Sequence, residues 1–77
     1  MEFVVGGMAI TTVGSDGDDR AIEFRVTSED AAEPGHFAIH RDHDKGWEAA
    51  RLTVDPDSGS LPVAAVEWAV EFAREYL

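Results

Sequence analysis

Imidazole and carboxylate side chains are concentrated in one short stretch of the chain, at His36, His40, Asp42, His43 and Asp44. These are the ligand types that borderline divalent metals bind. On an extended strand His36 and His40 share a face but lie ~13 Å apart, which is too far for one ion to contact both. Only His40, Asp42 and one loop residue, His43 or Asp44, can converge. The stretch therefore predicts either a metal-binding sensor built on this hairpin or a set of solvated hairpin side chains.

Other residues that could perform chemistry lack the spacing that a known site requires. Asp16, Asp18 and Asp19 fall in one predicted turn and Asp55 and Asp57 in another, but the glycine and terminal glutamate of an EF-hand loop are missing. Serine and histidine occur without a nucleophile elbow. No glycine-rich turn leads into a helix and a lysine, as a phosphate loop requires. We therefore predict a non-catalytic protein without a cofactor.

Two hydrophobic periodicities divide the chain, with period two as far as residue 54 and period 3.6 from residue 60 onward. They predict strands over residues 8–13, 20–28, 36–42 and 47–54, the first extending back to residue 3 through a bulge or kink at Gly6 and Gly7. Residues 14–19 form a turn, and residues 28–35 form a loop with room for one helical turn. A helix begins at a Ser60 N-cap, with Pro62 in its first turn, and ends near Tyr76.

This order of elements predicts a single α+β domain over residues 1–77. Its sheet is an antiparallel β-meander of three or four strands, and the C-terminal α-helix packs on one face. The predicted core consists of apolar side chains on one face of each element, with Phe72 or Trp68 at its margin: Ile10, Ile22, Phe24, Val26, Phe37, Ile39, Leu52, Val54, Val66, Val70 and Ala73.

The strands at 36–42 and 47–54 are predicted to form a hairpin in which Asp42 faces Trp47. This register pairs Phe37 with Leu52, Ile39 with Ala50 and Arg41 with Glu48, which gathers the apolar side chains on one face. The opposite face then displays a candidate partner-binding set: Trp47, His40, Ala38, Ala49, Arg51 and Arg25. Tryptophan and arginine are enriched in binding hot spots. The set predicts a site for a protein partner or a second copy, unless the tryptophan merely covers the hairpin loop.

Sixteen acidic side chains against six basic ones give the 77-residue chain a formal charge of −10. Repulsion at this charge is reduced in concentrated salt, where the Debye length falls to ~3 Å at 1 M. Generic nucleic-acid binding is disfavoured, because it depends on Lys and Arg. The first seven residues have no basic region and only a three-residue apolar run, so they predict neither a signal peptide nor a membrane span. We therefore predict a cytoplasmic protein.

Glu67, Glu71 and Glu75 stand four residues apart on the predicted helix. Each neighbouring pair should repel by ~0.2–0.5 kcal/mol at low salt. The whole composition, which also lacks Cys, Asn and Gln, resembles that of small acidic proteins from halophilic archaea. This resemblance implies a salt-rich cytoplasm.

A second resemblance concerns residues 37–77. Phe37 and Ile39, followed by Asp42, Asp44, Gly46 and Trp47 and then by a Glu/Ala-rich helix, resemble the partial RNase-H-like domain of HicB-type antitoxins. That resemblance implies an antitoxin or regulatory protein whose sheet and single helix bind a small ribonuclease toxin. The chain lacks the Leu-Pro-Gly turn expected after the hairpin and has Asp55-Pro56-Asp57-Ser58-Gly59 instead.

Overall fold

Five strands precede one helix in the computed structural model, which describes residues 1–15 and 19–77. The strands are β1 (Glu2–Val5), β2 (Met8–Ser15), β3 (Asp19–Thr27), β4 (Gly35–Asp42) and β5 (Arg51–Val54), and the helix is α1 (Val63–Tyr76). All five strands form one antiparallel sheet, in the chain order β1-β2-β3-β4-β5. The predicted α+β class is confirmed, whereas the predicted three or four strands become five.

The additional strand arises at Gly6 and Gly7. Both glycines have positive φ, 54° and 83°, which is the backbone conformation of a two-residue hairpin turn. Phe3 pairs with Ile10 and Val5 with Met8 across this turn. The predicted bulge or kink was therefore wrong, because consecutive positive φ values reverse the chain instead of bending one strand.

Two loops also differ from prediction. β2 continues through Ser15 and β3 begins at Asp19, so Gly14, Ser15 and Asp19 belong to strands instead of the predicted turn at 14–19. Its aspartates Asp16 and Asp18 lie outside the described residues. The loop before β4 contains no helix, and its turn is closed by a 3.4 Å hydrogen bond from Ala31 N–H to Ser28 C=O.

The core lies between α1 and one face of the sheet. Its strand residues are Met8, Ile10, Ile22, Phe24, Val26, Phe37 and Ile39, and its helix residues are Ala65, Ala69 and Ala73. The Phe24 and Phe37 rings stack with their centroids 5.0 Å apart. Val66 and Val70, predicted in the core, are only half-buried. The helix turns its alanines inward because small side chains let its backbone lie close to a sheet that supplies the large ones.

The hairpin between β4 and β5 has a register two residues away from the predicted one. Phe37 pairs with Val54 and Ile39 with Leu52, because Trp47–Ala49 forms a short 3₁₀ helix instead of the start of the strand. A two-residue shift leaves every side chain of β4 and β5 on its predicted face.

Leu52 and Val54 are nevertheless 39% and 48% exposed, so their assignment to the core was wrong. The reason is the position of α1, whose Phe72 contacts Phe3 of β1 and Phe24 of β3. β5 lies two strands beyond β3, at the edge of the sheet.

The connection from β5 to α1 is tied to the beginning of β4. His36 N–H donates to Ser58 Oγ at 2.9 Å, and Gly59 N–H donates to the Pro34 carbonyl at 3.1 Å. α1 then begins at Val63 after Pro62, with no side-chain cap. The predicted Ser60 N-cap was wrong because the chain stays extended through Pro62.

Candidate functional site

The face of the sheet opposite α1, which we call the outer face, is not covered by any described element. Its residues are those that alternate with the core positions of each strand. Arg25 lies between Thr11 and His36, and Glu23 lies between Val13 and Ala38. Thr53 and Arg51 extend the face onto β5, opposite Ala38 and His40.

The outer face is concave. Side chains and backbone from β2, β3, β4 and β5 line an open concavity of about 440 Å³. Thr11 and Val13 lie on one side, Ala38 and Thr53 on the other, and Pro56 at one end. Val13 is an apolar side chain that stays 59% exposed within it.

The end wall of this concavity is held by a hydrogen-bonded turn. Asp57 N–H donates to Asp55 Oδ1 at 2.8 Å, and Ser58 N–H donates to the Asp55 carbonyl at 3.0 Å. An aspartate side chain that accepts from the backbone two residues later is typical of an Asx turn. The wall is therefore built by local sequence and is in place before any partner binds.

Charges are balanced in the part of the outer face that lies around the concavity, in contrast to the rest of the molecule. Arg25 and Arg51 lie there together with Glu23 and Asp55, and His36 and His40 lie beside them. Among the acidic side chains whose burial the structure describes, all except Asp42 are exposed, including the Glu67, Glu71 and Glu75 ridge of α1. Around the concavity, another acidic protein therefore meets less repulsion than it meets at the helix.

Four of the six predicted partner-binding residues share the outer face. Arg25, Ala38, His40 and Arg51 lie there by strand register. Trp47 and Ala49 do not, since both belong to the 3₁₀ helix before β5. Their placement on this face was wrong because the real hairpin loop is longer than the predicted one.

Trp47 packs against the core side of the sheet. It is half-buried against the core cluster, and the Arg74 guanidinium carbon lies 5.3 Å from its ring centroid. The side chain thus fixes the hairpin loop to α1. This agrees with the alternative prediction that the tryptophan covers the hairpin loop.

The predicted metal ligands are spread over different surroundings. His40 lies on the outer face of β4, and a carboxylate oxygen of Asp42 lies 3.6 Å from Lys45 Nζ. His43 and Asp44 are exposed in the loop. Among the residues that the structure describes, no three His, Cys, Asp or Glu side chains are grouped so that they could hold a metal ion. The geometry gives the metal hypothesis no support.

Arg41 has a positioning role that the sequence reasoning missed. Its guanidinium donates to the carbonyls of Lys45 and Leu77, joining the hairpin loop to the end of α1. The predicted pair with Glu48 is absent, because Arg41 shares the inner face with Phe37 and Ile39 and reaches the helix instead. The alternation that places Arg41 on the same face as Phe37 and Ile39 was the sequence signal from which this role could have been predicted. A cation at this position also stabilises the helix dipole.

Thr11 and Val13 were missed as members of the outer face as well. They join it because β2 pairs with β3 in the register that places Val13 opposite Glu23. The alternation of residues 8–13 indicated which side chains share a face, but it did not determine which strand pairs with β2.

No family model, curated protein or solved structure matches this chain. The resemblances to halophilic proteins and to HicB-type antitoxins therefore stay predictions. None of the described helices has the length and apolar character needed to cross a membrane.

Proposed function

We propose that this protein is a non-catalytic interaction module of a salt-rich cytoplasm that binds a protein partner through the outer face. The observation that supports the proposal is the one-sided packing of the sheet. α1 covers the face with the aromatic and aliphatic core, while the other face stays open and concave. An open, partly apolar surface of this kind is typical of a docking site.

The residues in the concavity suit a protein ligand. Val13 and Ala38 give apolar contact area, and Arg25 with His36 gives donors for a carboxylate or a backbone carbonyl. Glu23 adds an acceptor in the next row. A short peptide segment or a loop presenting both apolar and acidic side chains is the ligand that this set would recognise.

A photo-crosslinking experiment tests where the partner binds. Two exposed valines are replaced in turn by p-benzoylphenylalanine, Val13 on the outer face and Val63 at the beginning of α1, which are 59% and 72% exposed. The variants are irradiated inside cells that make the protein and whose cytoplasm contains molar KCl. We expect a partner protein to be crosslinked to position 13 and none to position 63. Equal crosslinking at the two positions, or none at position 13, would refute the proposal.

The crosslinked protein is then purified and its affinity is measured against two arginine variants of β3. Arg25→Ala removes a charge from the outer face, whereas Arg20→Ala removes one from the opposite face of the same strand. We expect Arg25→Ala to weaken binding about tenfold, as loss of a charged hot-spot contact does, and Arg20→Ala to leave it unchanged. The same loss with both variants would indicate a nonspecific charge effect instead.

A further inference from the structure

β5 is an edge strand whose free side is open to solvent. Of the strands that the structure describes, it pairs only with β4, and every residue from 51 to 57 is exposed. Asp55 N–H donates to the His36 carbonyl at 3.0 Å. Because backbone groups alternate in direction along an antiparallel strand, Leu52 and Val54 direct their N–H and C=O groups away from β4. Such a row of unpaired groups can bind another strand.

The same two residues leave apolar side chains uncovered. Leu52 and Val54 lie on the core face of the sheet, opposite Ile39 and Phe37, but α1 does not reach them. Free backbone groups and uncovered apolar side chains therefore occur together at this edge.

We propose that β5 pairs in antiparallel fashion with β5 of a second copy of the chain, with Thr53 of one copy opposite Thr53 of the other. Residues whose backbone groups point away from β4 must lie opposite each other in the two copies, so the pairing can be centred on Leu52, Thr53 or Val54. When it is centred on Thr53, Leu52 lies opposite Val54 and Arg51 lies opposite Asp55. All four outward backbone groups of each copy are then hydrogen-bonded. Centring on Val54 instead places Leu52 opposite Pro56, which has no N–H. Centring on Leu52 places Arg51 opposite Thr53, so the arginine has no acidic residue opposite it.

The chosen register is self-complementary on both faces. On the core face, Leu52 of each copy contacts Val54 of the other and extends the apolar layer. On the outer face, two Arg51–Asp55 pairs flank the central threonines, and opposite charges and paired threonines both stabilise neighbouring strands.

The other edge of the sheet offers no comparable pairing. In β1 the outward residues are Glu2 and Val4, since the Met1 carbonyl accepts from Thr12 N–H. Glu2 is the only charged side chain of β1, so self-pairing brings no opposite side-chain charges together. The Phe3 ring already lies 5.0 Å from Trp68 and 5.2 Å from Phe72, measured between centroids.

Pairing through β5 also joins the two outer faces. Thr53 and Asp55 line the concavity of each copy, so the two concavities would become neighbours across a ten-stranded sheet. This inference does not depend on the proposed function. The two are tested at different residues.

The molar mass is measured by sedimentation equilibrium in about 1 M KCl. At this salt concentration the Debye length is ~3 Å, so repulsion between the acidic copies is screened. We expect the wild-type chain to be a dimer. Val54→Pro removes an outward N–H without breaking the bonds to β4, and proline is tolerated at such edge positions. We expect it to weaken the dimer about tenfold or more, since two symmetric hydrogen bonds are lost. Val4→Pro makes the matched change on β1 and should leave the dimer intact.

A cysteine crosslink tests the register, because the chain has no cysteine of its own. In the proposed register the two copies of residue 53 form a close non-hydrogen-bonded pair, with Cα atoms ~4.5 Å apart, within the range that a disulfide spans. Thr53→Cys should therefore crosslink under mild oxidation. The two copies of residue 51 are offset by four residues, ~13 Å, so Arg51→Cys should not.

A wild-type monomer at sub-millimolar concentration, an undiminished dimer in Val54→Pro, or equally fast crosslinking at positions 51 and 53 would each overturn the proposal. Circular dichroism of each variant shows whether it is folded. If Val54→Pro is unfolded, the comparison between Thr53→Cys and Arg51→Cys decides the proposal by itself. If Val54→Pro loses the dimer while crosslinking from position 13 is unchanged, the proposed partner binding at the outer face is unaffected.

Discussion

Trp47 connects three parts of the molecule at the scale of a single residue. It belongs to the 3₁₀ helix after the β4 loop, packs on the core cluster and lies under the Arg74 guanidinium. Together with Arg41, which bonds to the carbonyls of Lys45 and Leu77, it holds the hairpin loop against α1. Both side chains therefore contribute to folding and lie away from the proposed binding face.

We expect Trp47→Ala to lower the free energy of unfolding by about 1–3 kcal/mol, from lost apolar burial and a lost cation–π contact. Trp47→Phe, which keeps an aromatic face for Arg74, should lose less. Urea denaturation in molar KCl measures both changes. Binding by the folded variants should be unchanged at the outer face. If the Trp47→Ala protein has normal stability but fails to bind its partner, Trp47 is part of the binding site and this account is contradicted.

The identities of most inner-face residues were predictable, because alternation in residues 20–28 assigns Ile22, Phe24 and Val26 to one face whatever lies next to them. The exposure of Leu52 and Val54 was not. Their alternation is equally regular, but burial depends on how far the helix extends across the sheet, which local pattern does not determine.

At the scale of elements, the contact between α1 and the sheet depends on alanine. Ala65, Ala69 and Ala73 are fully buried on one stripe of the helix. Large rings on the strands, with Phe24 stacked on Phe37, fill the space that these small side chains leave. The sequence pattern predicted Ala73 at this contact but favoured Val66 and Val70 over Ala65 and Ala69. Hydrophobicity alone ranks valine above alanine and does not account for the distance between helix and sheet.

We expect Ala69→Leu to destabilise the protein by about 1–3 kcal/mol, because added methylene groups must force the helix away from the sheet. Ala64→Leu makes the same change on the exposed side of α1 and should alter stability by about 0.5 kcal/mol or less. Thermal or urea denaturation of the two variants measures the difference. Equal effects would show that the alanine stripe is not a close contact.

At the scale of the whole molecule, net charge and one-sided packing are the two dominant features. The described acidic side chains lie almost entirely at the surface, so they contribute repulsion without interrupting the core. Along α1, Glu67, Glu71 and Glu75 are all exposed. Screening by salt should therefore stabilise the fold without any change in its contacts.

We expect the free energy of unfolding to be larger in molar KCl than in dilute buffer. Glu71→Lys converts two repulsive pairs on α1, with Glu67 and Glu75, into attractive ones. It also converts the attraction between residue 71 and Arg74 into a repulsion, so the net gain should be about 0.5–1 kcal/mol at low salt. In molar KCl this gain should largely disappear, which separates screening from general effects of salt on apolar burial. Denaturation of both proteins at the two salt concentrations is the measurement. A gain from Glu71→Lys that is independent of salt would contradict the screening account.

Sequence by itself determined the fold class, the inner and outer faces of the strands, the C-terminal helix and the acidic surface. These follow from residue type and from periods of two and 3.6, which are local properties. Only the tertiary structure decided that Gly6 and Gly7 reverse the chain into a fifth strand, that the last hairpin is shifted by two residues, and that Trp47 lies against the helix. It also decided which strand remains uncovered at the edge. These outcomes depend on turn geometry and on the distance between a helix and a sheet, where alternatives with the same local pattern differ only in how distant parts of the chain pack.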